Sequence, residues 1–523
     1  MVIEKIKLEN FKKFSGLNEM IFNDKINIII GNNESGKSTI LEAINYTLSG
    51  SQNTIEQIGI ESLFNHRVII DYMESEREYS KLPVLKVEIY LKETGNSNFE
   101  GNNNTEKRLC HGVSMNIVPN DEYSEQIIKE LKDENSVFPF YYYKIYFEKF
   151  SGDKFNQYNK PLKHIVIDNI DNKKESSNMN YVQTLFKSYA DKLMISKLNT
   201  EYRKTKKDYE INSLKTFNDE VTEIDFGLNN NSKYSLENNL AIYKNGINLQ
   251  NYGLGMQSII KIKNIINKKV DKIDFILLEE PENHLSDINL RKLIDSIASE
   301  HKKQLFLTTH NSNVCSRLNL KNIIAVDKSV YNDFKLSNLN DETADFFVKN
   351  TTNNILNFIL SDKVILVEGA AEYILVEKFY KLKNKVNSDN DCVNIISVNN
   401  LSFLRYLEIA KILNKKVCVI TDNDGNYENN ITNKYKEYNE EENIKIFSEK
   451  DESKRTFEVA LYELNSKFLS DNKLTKSKDI LNFMLENKSE SAFRLLKILE
   501  KENNIGNFII PEYICEAIEW IKK

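Results

Sequence analysis

The hydrophobic pattern near the start of the chain predicts a strand, a loop and a helix in that order. Residues 3–14 alternate apolar and polar positions, which predicts a first strand followed by a turn. Residues 26–30 are almost all apolar, the pattern of a strand that is buried on both faces. Residues 38–48 repeat apolar side chains at the spacing of an amphipathic helix. Further strands are predicted at 84–91 and 137–147.

Strands and helices alternate in the second half of the chain. Strands are predicted at 273–278 and 304–308, with a helix at 287–301 between them. A Ser-, Asn- and Asp-rich stretch at 329–345 is interpreted as a loop. A second series follows it: strand 363–367, helix 371–383, strand 393–398, helix 401–413 and strand 416–421. This alternation predicts parallel sheets, so the expected fold class is α/β with two successive domains.

A polar region separates the two parts of the first predicted domain. From about residue 151 to 245 the chain is rich in Asn and Lys, although 181–214 keeps helical spacing. We interpret this region as a partly helical insertion and as a candidate dimerisation region. The expected divisions are 1–150 and 246–350 for the two parts of the first domain, 151–245 for the insertion and 351–523 for the second domain.

Composition narrows the classes of protein to which the chain can belong. Of its 523 residues, 40% are hydrophobic and 28% charged, which is enough apolar material for folded cores. The net charge of -6 means that any binding to nucleic acid needs a local basic surface. The five cysteines never form a CxxC pair, which argues against a zinc finger and a disulfide framework. Since neither a secretory signal nor a membrane span is evident, we expect a cytoplasmic protein.

Residues 31–38 match the pattern GxxxxGK[ST] of a phosphate-binding loop. Backbone N–H groups of such a loop surround phosphate oxygens, and the following helix adds its positive dipole end. Lys37 would contact the β- and γ-phosphates, and Ser38 would offer its hydroxyl to Mg²⁺. The alternative, a simple Gly-rich turn, is disfavoured because a buried strand precedes the motif and a helix follows it. The candidate ATP-binding residues of this segment are Gly31, Asn32, Asn33, Gly36, Lys37, Ser38 and Thr39.

Three further segments could complete a nucleotide site. The apolar run 276–278 ends in Glu279, a candidate for binding Mg²⁺, and Glu280, a candidate for polarising the attacking water. The alternative for this pair is a solvated acidic strand end. His310 follows the strand at 304–308 and could stabilise transferred charge, although a single histidine is more often a structural hydrogen-bonding residue.

Two glycines at alternate positions, Gly253 and Gly255, precede a predicted helix. They expose backbone N–H groups that could contact the γ-phosphate of a nucleotide bound by a second subunit. Together with the three preceding segments, this loop resembles the ABC-type ATPase heads shared by Rad50, SMC proteins and the OLD (overcoming lysogenisation defect) nucleases. Three segments depart from the common pattern: Leu254 replaces a Ser, Glu279 replaces an Asp, and residues 284–287 read HLSD where many OLD-like heads have HLHP. The resemblance implies an ABC/SMC-like P-loop ATPase domain with ATP and Mg²⁺ as its ligands.

The second domain carries acidic residues after two of its predicted strands. Glu368 ends strand 363–367 and Glu372 lies four residues further on, while Asp422 and Asp424 follow strand 416–421. In extended backbone Asp422 and Asp424 would point to the same side. Because parallel strands collect functional groups at their carboxyl ends, all four carboxylates could meet around Mg²⁺ or Mn²⁺. The alternatives are a strand end for the first pair and an Asx turn for the second.

This pair of motifs resembles the Toprim domain of topoisomerases, DnaG-type primases and OLD nucleases, and the VEGxxE form is most similar to the OLD branch. The resemblance implies two further site residues: Glu458 as a ligand of a second metal and Lys488 as a cation that steadies phosphate charge. It also implies a Toprim (Rossmann-like) sheet for the second domain. Within the family, the chain resembles the Gabija nuclease subunit and retron-associated OLD effectors.

The leading hypothesis is an ATP-regulated, metal-dependent DNA endonuclease. The family resemblance implies DNA as the substrate, a homodimer or tetramer, and a role in anti-phage defence with a helicase or a reverse transcriptase and its non-coding RNA as partner. The alternative is a Rad50/SMC-like ATP-driven DNA clamp without nuclease activity. A primase or topoisomerase is a third interpretation, disfavoured because neither a zinc-finger module nor the accompanying topoisomerase domains are evident.

Overall fold

The structure is a computed structural model that describes most of the 523 residues. The described ranges are 1–93, 95–133, 136–168, 175–221, 223–231, 234–266, 273–300, 303–326, 336–350, 354–398, 402–501 and 508–523. The chain forms two compact units. The first extends from Met1 to His310 and includes Val326, and the second contains 311–325 and continues to Lys523.

The first unit contains two sheets with a helix between them. One sheet is antiparallel, with strands in the order Leu17–Ile21, Ile3–Glu9, Leu85–Leu91, Cys110–Pro119, Tyr143–Lys149 and Lys154–Phe155, and with Glu100–Gly101 paired to Cys110–Pro119. The other is parallel, with neighbours in the order Ile26–Gly31, Gln304–Thr308, Phe275–Glu279 and His164–Asp168. Helix Lys37–Ser49 contacts strands of both sheets through an apolar side that includes Ile40, Leu41 and Ile44.

Two neighbouring parallel strands of this unit are buried on both faces, as their continuous apolar runs predict. Every residue of Ile26–Gly31 and of Gln304–Thr308 is buried. Strand Ile323–Val326 contains the division between the two units. The remaining helices of the first unit are Gln52–Ile58, His66–Glu74, Ser124–Leu131, Glu175–Tyr189, Lys192–Tyr209, Lys215–Asn218, Leu254–Ile266 and Asp287–Glu300.

The second unit is built on a four-stranded parallel sheet. Its order is Val393–Ser397, Lys363–Val367, Lys416–Ile420 and Ile444–Phe447. Helices Ala370–Asn384 and Glu512–Lys522 contribute buried apolar side chains to the core beside this sheet. The other helices are Ser312–Arg317, Asp341–Lys349, Ile355–Leu360, Phe403–Ile412, Phe457–Asp471, Ile480–Glu486 and Lys488–Leu499.

The α/β fold class predicted from the sequence is confirmed: a P-loop head with a helical insertion precedes a Toprim-like parallel sheet. Two segment predictions are corrected. The segment 137–147 becomes a strand only at Tyr143, because Pro139 lacks an N–H and residues 140–142 form a 3₁₀ turn. The predicted loop 329–345 contains the start of helix Asp341–Lys349. Asn340 caps this helix, because its side chain accepts a hydrogen bond from the backbone N–H of Glu342. Residues 329–335 of that prediction lie outside the described residues.

Within the described part of the chain, helices with the length and apolar character needed to cross a membrane are absent.

Candidate nucleotide and metal sites

The loop before helix Lys37–Ser49 forms a cradle in which Lys37 is held by backbone carbonyls. Its Nζ donates hydrogen bonds to the carbonyl oxygens of Gly31 and Asn32, both at 3.0 Å. Gly36 has φ 104°, a backbone conformation that favours glycine. At Gly31, an added Cβ would lie 2.2 Å from Ser35 Oγ, so only glycine fits without a shift. Burial lowers the pKa of Lys37, although the carboxylate of Glu280 opposes this effect.

A cavity of about 350 Å³ opens beside this loop. Its walls bring the P-loop residues together with Glu280 and His310, two residues that lie far from the P-loop along the sequence. The lining residues are Lys13, Asn33, Glu34, Ser35, Gly36, Lys37, Ser38, Thr39, Glu280 and His310. The cavity has the volume of a small-molecule site and carries phosphate-binding geometry on one wall.

Glu280 is oriented towards the cavity by a turn at the end of strand Phe275–Glu279. Its φ is 42°, and its backbone N–H donates to the Thr308 carbonyl at 3.1 Å. Asn283 Nδ2 donates to Glu280 Oε2 at 2.8 Å, and His310 Nε2 lies 3.5 Å from Glu280 Oε1. Burial and the neighbouring Lys37 lower the pKa of His310, and the carboxylate of Glu280 opposes this shift. Glu279, the preceding strand residue, is half-buried.

Sequence reasoning did not single out Glu282, which the structure connects to the His310 segment. Its Oε1 accepts a hydrogen bond from Thr309 Oγ1 at 2.6 Å and another from the His310 backbone N–H at 2.9 Å. Burial raises the pKa of Glu282, and the Thr309 hydrogen bond opposes the shift. The sequence offered no signal for this role, because a glutamate two positions after Glu280 has no distinctive spacing.

The two glycines before helix Leu254–Ile266 have different surroundings. An added Cβ at Gly255 would lie 2.2 Å from the carbonyl oxygen of His284, whereas no atom of the described residues lies within 4 Å of the corresponding position at Gly253. Gly255 therefore allows the helix start to approach the turn after Glu280. Gly253 is the member of the pair with open space around it.

In the second unit, three carboxylates meet at the carboxyl ends of neighbouring parallel strands. Oxygen atoms of Glu368, Glu372 and Asp422 all lie within 4.8 Å of one another. Val367 is in register with Ile420, so the residues that follow these two strand ends are brought side by side. Glu372 reaches the same place from the first turn of helix Ala370–Asn384.

Hydrogen bonds fix the position of each carboxylate in this group. Glu368 Oε1 accepts from Thr421 Oγ1 at 2.6 Å and from the Asp422 N–H at 3.1 Å. Glu372 Oε2 accepts from the Gly369 N–H at 3.1 Å. Asp422 Oδ1 accepts from the Phe457 N–H at 2.8 Å, which joins the site to the start of helix Phe457–Asp471. The sequence had not indicated the role of Thr421, because a threonine at a strand end carries no distinctive spacing.

The electrostatics of the group favour a bound cation. Burial, together with the charges of Glu368, Glu372 and Glu458, raises the pKa of Asp422 to about 8. Burial also raises the pKa of Glu372, with Glu458 and Glu368 adding to the effect. Three close carboxylates repel one another unless a proton or a cation compensates them. Carboxylate oxygens are the ligands that Mg²⁺ and Mn²⁺ prefer, so the residues present fit such an ion.

Glu458 and Lys488 border this group. Glu458 is 2% exposed and lies in the first turn of helix Phe457–Asp471. The distance from Lys488 Nζ to Glu458 Oε2 is 3.2 Å. Burial lowers the pKa of Lys488, but the carboxylates of Glu458, Asp422 and Glu372 raise it by more, so the pKa lies above its usual value. Lys488 therefore remains a cation beside the acidic cluster.

The structure does not bring Asp424 into the three-carboxylate group. Its φ is 48°, so the backbone turns at this residue and does not continue the extended conformation from which a shared direction with Asp422 was expected. The side chain is exposed, and its N–H donates to the Arg455 carbonyl at 3.0 Å. The alternation argument fails here because the strand has already ended at Ile420.

The fold and these two sites define an ATPase domain joined to a Toprim domain. Residues 1–315, more than half of the chain, match the family described as AAA ATPase domain. Residues 359–424 match the family described as overcoming lysogenization defect protein-like, TOPRIM domain. The chain therefore belongs to the AAA ATPase domain family and carries an OLD-like Toprim match in its second unit, so the recognition made from its sequence motifs is confirmed.

Relatives of the chain include an endonuclease. Endonuclease GajA from Bacillus cereus (strain HuB5-5) is 22% identical over 542 aligned residues, covering 81% of this chain and 77% of the relative. The structural maintenance of chromosomes protein 3 homolog of Plasmodium falciparum (isolate 3D7) is 25% identical over 80% of this chain, which spans 35% of that relative. The C-terminal region of the Xanthomonas campestris pv. campestris OLD protein matches 31% of this chain and 92% of its own, with 18% identity and a TM-score of 0.23.

Proposed function

We propose that this protein is an ATP-regulated, divalent-metal-dependent DNA endonuclease. The observation that carries the proposal is the meeting of Glu368, Glu372 and Asp422 within 4.8 Å of one another, bordered by the Lys488 cation. The proposed division places the ATPase in 1–150 and 246–350, the insertion in 151–245 and the Toprim domain in 351–523, except that strand His164–Asp168 pairs with Phe275–Glu279 and so is part of the ATPase sheet. The similarity to an endonuclease along most of both chains supports the same activity.

Glu368, Glu372 and Asp422 would hold one divalent cation, while Glu458, which borders them, is the proposed ligand of a second. Such ions supply activation of water and stabilisation of charge on the scissile phosphate. The protein's own groups orient the ligands, because Thr421 and the backbone N–H groups of Asp422 and Phe457 hold the carboxylate oxygens. Lys488 would neutralise phosphate charge at the edge of the group.

In the ATPase head, the proposed nucleotide lies in the 350 Å³ cavity. Lys37 would exchange its hydrogen bonds to carbonyls for phosphate oxygens, and Ser38 with Glu279 would hold Mg²⁺. Glu280, fixed by Asn283 and adjacent to His310, would orient the attacking water. Gly253 is the open position from which a second subunit's nucleotide would be contacted, whereas Gly255 serves packing within the chain.

A purified-protein cleavage assay tests the nuclease proposal. Plasmid and linear DNA are incubated with Mg²⁺ or Mn²⁺, with and without ATP. Asp422→Asn and Glu368→Gln should each lower cleavage by about a hundredfold or more, because each removes a charge that holds the cation. The matched control is Asp389→Asn, an exposed carboxylate just before strand Val393–Ser397, at the opposite end of the sheet, and this variant should cut like the wild type.

The second candidate function is an ATP-driven DNA clamp, which the similarity to a chromosome-maintenance protein favours. If no metal, nucleotide and DNA combination gives cleavage while ATP-dependent DNA binding is retained, the clamp replaces the nuclease. For the nuclease, we propose a homodimer or tetramer that acts in anti-phage defence, with a helicase or a reverse transcriptase and its non-coding RNA as partner. Phage plating on cells carrying wild type or Asp422→Asn tests that role.

A further inference from the structure

We propose that Glu282 is a positioning residue that sets the place of His310 in the ATPase site. This inference deepens the proposed function, since it rests on ATP hydrolysis by the head. It concerns a residue outside the phosphate-binding loop and outside the pair Glu279 and Glu280. Its basis is a set of hydrogen bonds between two strand ends.

The two strands that carry the site stop pairing just before its functional groups. Strands Phe275–Glu279 and Gln304–Thr308 are parallel neighbours, and their register ends with Glu279 opposite Thr308. One more backbone bond follows, from the Glu280 N–H to the Thr308 carbonyl at 3.1 Å. Beyond it the chain turns, because Glu280 has φ 42° and its carbonyl accepts a hydrogen bond from the Asn283 N–H at 3.1 Å. This carbonyl is therefore engaged within the turn and does not continue the ladder to the His310 N–H, while the Thr309 N–H donates to the Ile29 carbonyl at 3.4 Å.

The Glu282 side chain replaces the missing backbone contacts. Its Oε1 accepts hydrogen bonds from Thr309 Oγ1 at 2.6 Å and from the His310 N–H at 2.9 Å. One oxygen therefore holds two consecutive residues of the neighbouring strand end. The His310 ring extends from this fixed backbone to within 3.5 Å of Glu280.

The other oxygen, Glu282 Oε2, is buried and has no hydrogen-bond partner among the described residues. A buried carboxylate oxygen without a donor costs free energy. A residue kept only for packing would be more stable as an apolar side chain at this place. We expect a buried carboxylate with an unpaired oxygen to be retained where that carboxylate orients a neighbouring functional group.

Glu282 acts on the reaction only through His310, which leads to a test by double-mutant cycle. The rates of phosphate release are measured for wild type, Glu282→Ala, His310→Ala and the double variant. Each single change should lower kcat by about tenfold or more and change KM for ATP by less than about threefold. The double variant should be no slower than His310→Ala within a factor of about two, because coupled residues are not additive.

Controls separate positioning from loss of folding. Glu282→Gln keeps an oxygen that accepts both hydrogen bonds, so it should restore most of the rate lost in Glu282→Ala. Thr309→Val removes only one donor and should slow the wild type but not the His310→Ala background. Asp287→Asn removes an exposed acid from the start of the next helix and should not change the rate.

Distinct outcomes overturn the inference and the proposed function. If the wild type hydrolyses no ATP, the proposed hydrolytic head fails and the inference fails with it. If the wild type is active but the losses from Glu282→Ala and His310→Ala multiply in the double variant, only the inference fails. A wild-type rate in Glu282→Ala or in His310→Ala also overturns it while leaving the ATPase assignment in place.

Discussion

Asp422 in the acidic cluster makes the free energy of unfolding depend on pH, and this dependence can be measured without a nuclease assay. Asp422 has a pKa of about 8 in the folded, metal-free protein because burial and neighbouring carboxylates disfavour its charge. The pKa of an aspartate in an unfolded chain is about 3.9. The folded state therefore binds more protons than the unfolded state between these two values. The free energy of unfolding must fall as pH rises through this window and level off above about pH 8.

Asp422→Asn removes this titration, so it should stabilise the metal-free protein. We expect its free energy of unfolding at pH 8 to exceed that of the wild type by about 3–5 kcal/mol, because the pKa values of the folded and unfolded states differ by about 4 units at about 1.4 kcal/mol each, with a discount for partial exposure. The difference should shrink as pH approaches 4. Denaturant unfolding in EDTA at several pH values measures it, with Asp389→Asn as control. A variant less stable than wild type at pH 8 would contradict the unfavourable charge of Asp422.

The same residues show how far sequence reasoning reaches at this scale. Glu368 and Asp422 were predicted to meet because they follow apolar strands of one parallel sheet, and that topology is decided by hydrophobic pattern. Asp424 did not join them, since the alternation of an extended strand ends where the backbone turns to φ 48°. The hydrogen bonds of Glu282 depend on a strand pairing between residues about 27 positions apart, which spacing along the chain does not reveal.

At the scale of secondary-structure elements, the two glycines before helix Leu254–Ile266 provide a matched pair. Gly255→Ala would place a Cβ 2.2 Å from the His284 carbonyl oxygen, so the helix start and the turn after Glu280 must separate. We expect a loss of about 1–3 kcal/mol in stability, the typical cost of overpacking. Gly253→Ala meets open space at a backbone conformation that alanine tolerates, so its stability should stay within about 0.5 kcal/mol of the wild type.

Thermal unfolding of the two glycine variants measures this difference, and ATP hydrolysis adds a second measurement. If Gly253→Ala slows hydrolysis without destabilising the protein, the open glycine contacts nucleotide or a neighbouring subunit. Equal stability of the two variants would contradict the close approach at Gly255.

Element boundaries were predictable where burial is continuous and less so where helices are polar. Helix Asp341–Lys349 buries only Thr343, Ala344 and Phe347. A helix with so few buried positions shows a weak hydrophobic pattern in the sequence, which resembles that of a loop. The helix start depends on the Asn340 side chain, and Thr343 Oγ1 donates to Glu408 at 2.6 Å. Such tertiary contacts override local composition, which explains the mistaken loop interpretation.

At the scale of the whole molecule, the insertion carries apolar side chains that a monomer would leave in water. Among the described residues, Leu193 is 80% exposed, Met194 and Tyr209 are each 54% exposed, and Phe217 is 51% exposed. These side chains lie on helices Lys192–Tyr209 and Lys215–Asn218. Contiguous exposed apolar patches mark interaction surfaces in soluble proteins, and these four side chains are the candidates for such a surface in the insertion. This distribution supports the proposal that the insertion joins two copies of the chain.

Light scattering after size-exclusion chromatography tests this assembly. The wild type should elute as a homodimer or tetramer, and Leu193→Asp should shift it towards the monomer, because a charge in an apolar interface loses its hydration. The control is Leu109→Asp, which changes an equally apolar side chain, 71% exposed, outside the insertion. Leu109→Asp should leave the assembly unchanged. A monomeric wild type, or a Leu193→Asp variant that assembles like the control, would remove the insertion as the dimerisation region while leaving both candidate active sites untouched.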